Sequence, residues 1–192
     1  MLPPFTILAL GDSLTEGYGL PAGCAVPDVL RQLLEKSGTR VRIVNLGLSG
    51  DTTAGGLRRL RAWLSRHPAP HAAMVELGVN DTFMGLEYEE IEDNLDAILQ
   101  ILTAQDVPVL LTSMPLLFPA HEEDRKAFDA IYSNLAARHR VMLHPFFPEG
   151  VAANPALSLP DGIHPAPAGA HAIAEHLLPA VQKLLCNAAG RA

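Results

Sequence analysis

Five short apolar runs, FTILAL (5–10), VRIVNL (41–46), AAMVEL (72–77), VPVLLTS (107–113) and VMLH (141–144), recur along the chain with helical patterns between them. Runs this short, apolar throughout rather than alternating, suit strands buried on both faces of a sheet. The segment 88–104 carries Ile91, Leu95, Ile98, Leu99 and Leu102 at steps of three and four, one apolar stripe opposite Glu89, Glu92, Asp93 and Asp96. The same spacing predicts helices over 27–35, 53–65, around Phe128, Ile131 and Leu135, and over 165–185. Each parallel return needs a crossover, and crossovers are right-handed. Five such units in series therefore predict a five-stranded parallel sheet with helices on both faces, an α/β domain of three layers spanning residues 1–192. With 192 residues, 48% of them hydrophobic, a chain of this size buries about 70% of its unfolded surface.

Charge and composition narrow the function. Fourteen Lys and Arg stand against 21 Asp and Glu, a formal charge of −7 with no basic run, so the chain lacks the electrostatic footprint of a nucleic-acid binder. The weakly polar stretch 107–120 holds three prolines and falls short of the ~20 apolar residues that a spanning helix needs, so no transmembrane anchor is expected. MLPPFTILALGDSL has no charged region, long apolar stretch and cleavage site of a secretory leader. Cytoplasmic residence is the expectation, with prior removal of a leader as the alternative. Cys24 and Cys186, near opposite ends and outside any CxxC or Cys/His grouping, are expected to be free thiols, and no zinc site is expected. Oligomeric state is left open.

In open α/β sheets ligands bind beyond the carboxyl ends of the strands, so the loops opening at Gly11, Gly47, Gly78, Met114 and Pro145 should share one rim. GDSLTEGYG follows the first strand and puts Ser13 in a turn, where it is either a helix cap or a nucleophile. In NLGLSGDTTAGG, Gly50 can bring its N–H close to a bound oxygen, or can simply form a tight turn capped by Asp51 or Thr52. ELGVNDTF offers the Asn80 amide as a neutral donor, or as an Asx-turn, with Asp81 to brace the loop. Glu76, in the same segment, is a strand carboxylate in need of a partner. DGIHPAPAG places His164 just outside the last helix, with Asp161 three residues earlier and able to reach the second ring nitrogen. Singly, each fragment has a structural reading. Together, a serine, two candidate oxyanion donors and an Asp/His pair on one rim would assemble a hydrolytic site.

GDSLTEGYG, SGDTTAGG, GVND and DGIHP resemble the four sequence blocks of the SGNH, or GDSL-type, hydrolase family across nearly the whole chain. ELGVND, RKAFDAIYSNLAARH and PFFPEGV resemble its thioesterase I/lysophospholipase/arylesterase branch. The resemblance implies a flavodoxin-like three-layer α/β/α fold, a triad of Ser13, Asp161 and His164, and an oxyanion hole from the N–H groups of Ser13 and Gly50 and the Asn80 side chain. It implies no metal or organic cofactor. The implied substrates are small-molecule carboxylic esters, acyl thioesters or lysophospholipids, cleaved through an acyl-enzyme. One departure bears on the acyl site: Gly78 is followed by Val79 where that branch commonly has a second glycine. Met84 and the MPLLF run with Leu116, Leu117 and Phe118 are candidates to line an acyl channel, or to pack the core.

Three rival readings stand beside this one. Carbohydrate O-acetyl ester hydrolysis would use the same triad. A non-catalytic nucleotide- or phosphate-binding module would suit the fold, although no GxGxxG or P-loop follows the first strand. A metallophosphoesterase could draw on Asp12, Asn80, Asp81 and His164, but the rim holds too few histidines for a two-metal site.

Overall fold

Five parallel strands lie in the order β2-β1-β3-β4-β5 in a computed structural model that describes residues 5–152 and 154–190. Residues 1–4, which begin the segment read as lacking a leader, lie outside the described residues. The strands are β1 (Phe5–Gly11), β2 (Val41–Gly47), β3 (Ala72–Glu76), β4 (Val109–Ser113) and β5 (Met142–Pro145). Every ladder is parallel. Strands β1 and β3 occupy the centre, and Ile7, Leu8, Leu10, Ala72, Ala73 and Val75 are wholly buried. Their unbroken apolar runs follow from helices covering both faces.

The helices are α1 (Ser13–Glu16), α2 (Val26–Lys36), α3 (Thr53–Leu64), α4 (Val79–Phe83), α5 (Tyr88–Thr103), α6 (Glu122–His139) and α7 (Pro167–Ala189). α2 packs against α7 on one face of the sheet, and α5 packs between α3 and α6 on the other. The stripe Ile91, Leu95, Ile98, Leu99 and Leu102 of α5 is fully buried, as its spacing requires. Among the described residues no helix is long and apolar enough to cross a membrane. Cys24 and Cys186 are free thiols.

Two short helices, α1 and α4, were not expected. Each is a single turn directly after a central strand, and a turn of four or five residues contains no apolar period to read. The chain leaves β1 toward β2 on one side, and β3 lies on the other. The crevice at such a reversal of strand order, beyond the carboxyl ends, is where these sheets bind ligands.

Candidate active site

Asp12, not Ser13, caps the first helix: its Oδ1 accepts from the Leu14 N–H at 2.9 Å. Ser13 is thereby the first helical residue, 8% exposed at the tip of β1. Gly11 was expected to permit a turn, but it is the last residue of the strand and its φ is not positive. Its role is steric. A Cβ there would stand 2.1 Å from Thr15 Oγ1 and 2.7 Å from Glu76 Oε2, so glycine lets α1 turn back tightly over the end of β3.

His164 arrives from the loop before α7. Ser158 and Pro165 form an antiparallel bridge, the Leu159 N–H donates to the His164 carbonyl at 2.7 Å and the Ala166 N–H to the Leu157 carbonyl at 2.8 Å. This small hairpin presents the imidazole to the serine, with Nε2 at 2.9 Å from Ser13 Oγ across 151 residues of chain. Nδ1 lies 2.7 Å from Asp161 Oδ2, and Asp161 Oδ1 accepts from the N–H groups of Ile163 and His164 at 2.9 and 3.0 Å. Partial burial would raise the Asp161 carboxyl, but the His164 ring and these two N–H groups outweigh it and hold the group at about 2. Asp161 is therefore ionised at neutral pH. The Tyr18 ring lies against the imidazole with centroids 4.5 Å apart.

The loop carrying Gly50 is pinned on both sides. Glu16 accepts from the N–H of Ser49 at 2.8 Å and from its hydroxyl, while Arg59 pairs with Asp51. Arg59 also donates to the carbonyls of Gly11 at 2.7 Å and Leu46 at 2.8 Å, which ties this loop to the ends of β1 and β2. Thr52 caps α3, with its side chain accepting from the Gly55 N–H at 3.3 Å. Gly50 is exposed, and among the described residues neither its N–H nor that of Ser13 meets an acceptor.

Asn80 lies in α4, where Nδ2 donates to Asp12 Oδ2 at 3.0 Å and to the Asp51 carbonyl at 2.9 Å. Asp81 braces the neighbouring helix rather than its own loop, accepting from the Thr53 N–H at 3.0 Å and from Thr53 Oγ1 at 2.5 Å. Gly78, with φ of 121°, carries the turn out of β3. Val79 needs no such conformation and is buried.

Beside Ser13 and His164 opens a cleft of about 240 Å³ lined by Leu14, Val79, Asn80, Phe83, Leu117 and Ile163. Of the four side chains expected to line an acyl channel, Leu117 borders this cleft. Leu116 and Phe118, together with Leu117, border a neighbouring depression with Ala152 and Gly162, and the Phe118 ring lies with its centroid 5.7 Å from that of Phe83. Met84 stands in solvent, 63% exposed at the end of α4. Phe83 and Ile163 escaped sequence reasoning because nothing in their local pattern marks which way they point. Arg59 was missed for a related reason, since it lies on α3 and its partners at Gly11 and Leu46 come from β1 and β2. Among the described residues no group of three or more His, Cys, Asp or Glu side chains is placed to hold a metal ion.

A hydroxyl, an imidazole and an ionised carboxylate in series, beside two unengaged N–H groups and an apolar cleft, can support nucleophilic attack on an acyl carbon. The class is that of a serine hydrolase. The family model for the GDSL-like lipase/acylhydrolases matches residues 9–172, and the chain belongs to that family. It is 36% identical over 182 residues to esterase TesA of Pseudomonas aeruginosa, covering 94% of this chain and 89% of that protein. Over 162 residues it is 41% identical to thioesterase 1/protease 1/lysophospholipase L1 of Escherichia coli, covering 83% and 75%. A crystal structure of TesA superposes with a TM-score of 0.86 at 34% identity, covering 93% of this chain and 99% of that one.

Proposed function

We propose that the protein hydrolyses small-molecule carboxylic esters and acyl thioesters, lysophospholipids included, with Ser13 as nucleophile, His164 as general base and acid, and Asp161 as its orienting carboxylate. The 2.9 Å approach of His164 Nε2 to Ser13 Oγ, with Asp161 ionised behind it, carries this reading. As Ser13 attacks, its proton passes to Nε2, and the imidazolium is stabilised by Asp161. Collapse of the tetrahedral intermediate returns that proton to the leaving alcohol or thiol and leaves an acyl-enzyme. Water then attacks by the same proton path and frees the acid.

The N–H groups of Ser13 and Gly50 are open to the oxyanion, and the Asn80 amide joins them by exchanging its bond to the Asp51 carbonyl for one to the substrate oxygen. Loss of one such donor costs ~10²–10³ in rate. Names borne by the relatives, an esterase and a thioesterase/lysophospholipase, support the substrate class. The cleft is smaller than the ~300–1,000 Å³ of most ligand pockets, which favours short and medium acyl chains.

The test is turnover of a chain-length series of p-nitrophenyl esters and acyl-CoA thioesters by wild type and Ser13→Ala, with an organophosphonate control. Ser13→Ala is expected to lower kcat by on the order of 10⁶. A variant retaining near-native turnover overturns the assignment of the nucleophile.

A further inference from the structure

The end of β3 holds a buried carboxyl group that the chemistry above does not use. Glu76 is 3% exposed and pairs with Gly11 in the β1–β3 ladder. Its Oε2 accepts from Thr15 Oγ1 at 2.8 Å and from the Asp12 N–H at 3.3 Å. Its Oε1 is enclosed, with no donor directed at it among the described residues. The cation nearest this end of the sheet, Arg59, is already engaged by Asp51 and by the carbonyls of Gly11 and Leu46. An ionised Glu76 would thus be a buried charge with neither a cation nor a full set of donors, a costly arrangement.

Its neighbour is another carboxyl group. Asp12 is wholly buried, and both of its oxygens accept, Oδ1 from the Leu14 N–H and Oδ2 from Asn80 Nδ2. The two acid side chains lie within hydrogen-bonding reach of each other. Two adjacent buried carboxyls do not both ionise. Asp12 has the donors that a carboxylate requires, whereas Glu76 has an oxygen free to carry a proton. Burial and the charge on Asp12 push Glu76 well above the ordinary carboxyl range.

We infer that Glu76 is a neutral carboxylic acid whose O–H donates a hydrogen bond to the Asp12 carboxylate, and that it is a positioning residue which holds the Asp12 carboxylate against the Asn80 amide. The consequence is directional. Asp12 grips one Nδ2 hydrogen through a charge-assisted bond, so the hydrogen facing the neutral Asp51 carbonyl is the one exchanged for a substrate oxygen. Gly11 belongs to the same device, because a side chain there would displace the Thr15 and Glu76 contacts. The inference rests on the reading of Asn80 as an oxyanion donor.

The experiment compares wild type, Glu76→Gln, Glu76→Leu, Asn80→Ala and the Glu76→Leu/Asn80→Ala double variant on p-nitrophenyl butyrate. Phosphonate labelling of wild type at Ser13 comes first, so that failure to label or to turn over strikes the hydrolase reading itself. Infrared difference spectra of wild type against Glu76→Gln, at neutral pH, report the carboxylic-acid C=O band without any need for activity.

Glu76→Gln should keep kcat within about three-fold, because its amide N–H replaces the donated proton and its carbonyl keeps the Thr15 and Asp12 contacts. Glu76→Leu should lower kcat by about 10- to 100-fold with KM little changed, and should add little to the loss in Asn80→Ala. The acid band should appear in wild type and vanish in Glu76→Gln. An absent band, or a folded Glu76→Gln as impaired as Glu76→Leu, overturns the proposal. So does an equal cost of Glu76→Leu with and without Asn80. Should Glu76→Leu not fold, the Gln variant and the band decide alone.

Discussion

Asn80 donates to Asp12 Oδ2 at 3.0 Å, so a neutral amide at the start of α4 is anchored by a carboxylate at the tip of β1. Asp12→Asn should disrupt this more than its size suggests. The new amide keeps an oxygen to cap α1 but turns its NH₂ toward the NH₂ of Asn80, donor against donor. The expected result is a loss of about 10² in kcat with a smaller change in KM, close to the effect of Asn80→Ala. Steady-state kinetics on one short ester checks it.

Arg59 and Asp51 set the position of Gly50 from outside the cleft. Arg59→Ala leaves Asp51 without its cation and the carbonyls of Gly11 and Leu46 without their donor. A destabilisation of about 3 kcal/mol is expected, since a partly buried charge loses its partner. Urea unfolding measures that loss, and kcat of the folded variant should fall as well because the Gly50 N–H is no longer fixed.

Val79 and Leu117 should govern acyl-chain length. Val79 is 2% exposed and lines the cleft beside Asn80. Val79→Ala is expected to cost about 2 kcal/mol of stability. It and Leu117→Ala should move the optimum of a p-nitrophenyl ester series toward longer chains, with less effect on the acetate. Leu116→Ala, whose side chain borders the neighbouring depression but not the cleft that Leu117 also lines, should shift the optimum less. A shift from Leu116→Ala equal to that from Leu117→Ala would contradict this division.

Acid stability carries the signature of Asp161. Its folded value of about 2 lies below the ordinary ~3.9, so its contribution is present above the ordinary value and is lost as pH falls through the folded one. The stability difference between wild type and Asp161→Asn should therefore shrink as pH falls between about pH 4 and pH 2. Chemical denaturation across that range tests the sign.

Much of the frame is legible locally. The runs FTILAL, VRIVNL and AAMVEL become β1, β2 and β3 with ends within a residue, because an unbroken apolar run of that length has few other places to go. The stripe in α5 is buried at all five expected positions for the same reason. Ser13, Asp161 and His164 could be singled out because turn chemistry and the short Asp161-to-His164 spacing act within a few residues. Met84 and Phe118 could not be placed. Both lie near the rim, and the direction of a side chain there depends on how α4 and the β4 loop pack.

The sequence by itself determined the five strands and the five longer helices, and that a serine, an Asp/His pair, Gly50 and Asn80 fall at one edge of the sheet, while the short helices α1 and α4 that hold Ser13 and Asn80 were not legible in it. Only the tertiary structure decided who neutralises whom. Glu76 faces Asp12 because the ladder pairs Gly11 with Glu76, while Arg59 reaches Asp51 from α3. Apolar periodicity is a property of near neighbours in the chain. Whether a buried carboxyl meets a cation, a hydroxyl or a second carboxyl is fixed by the register of strands more than sixty residues apart, and with it the protonation state and the task of the group.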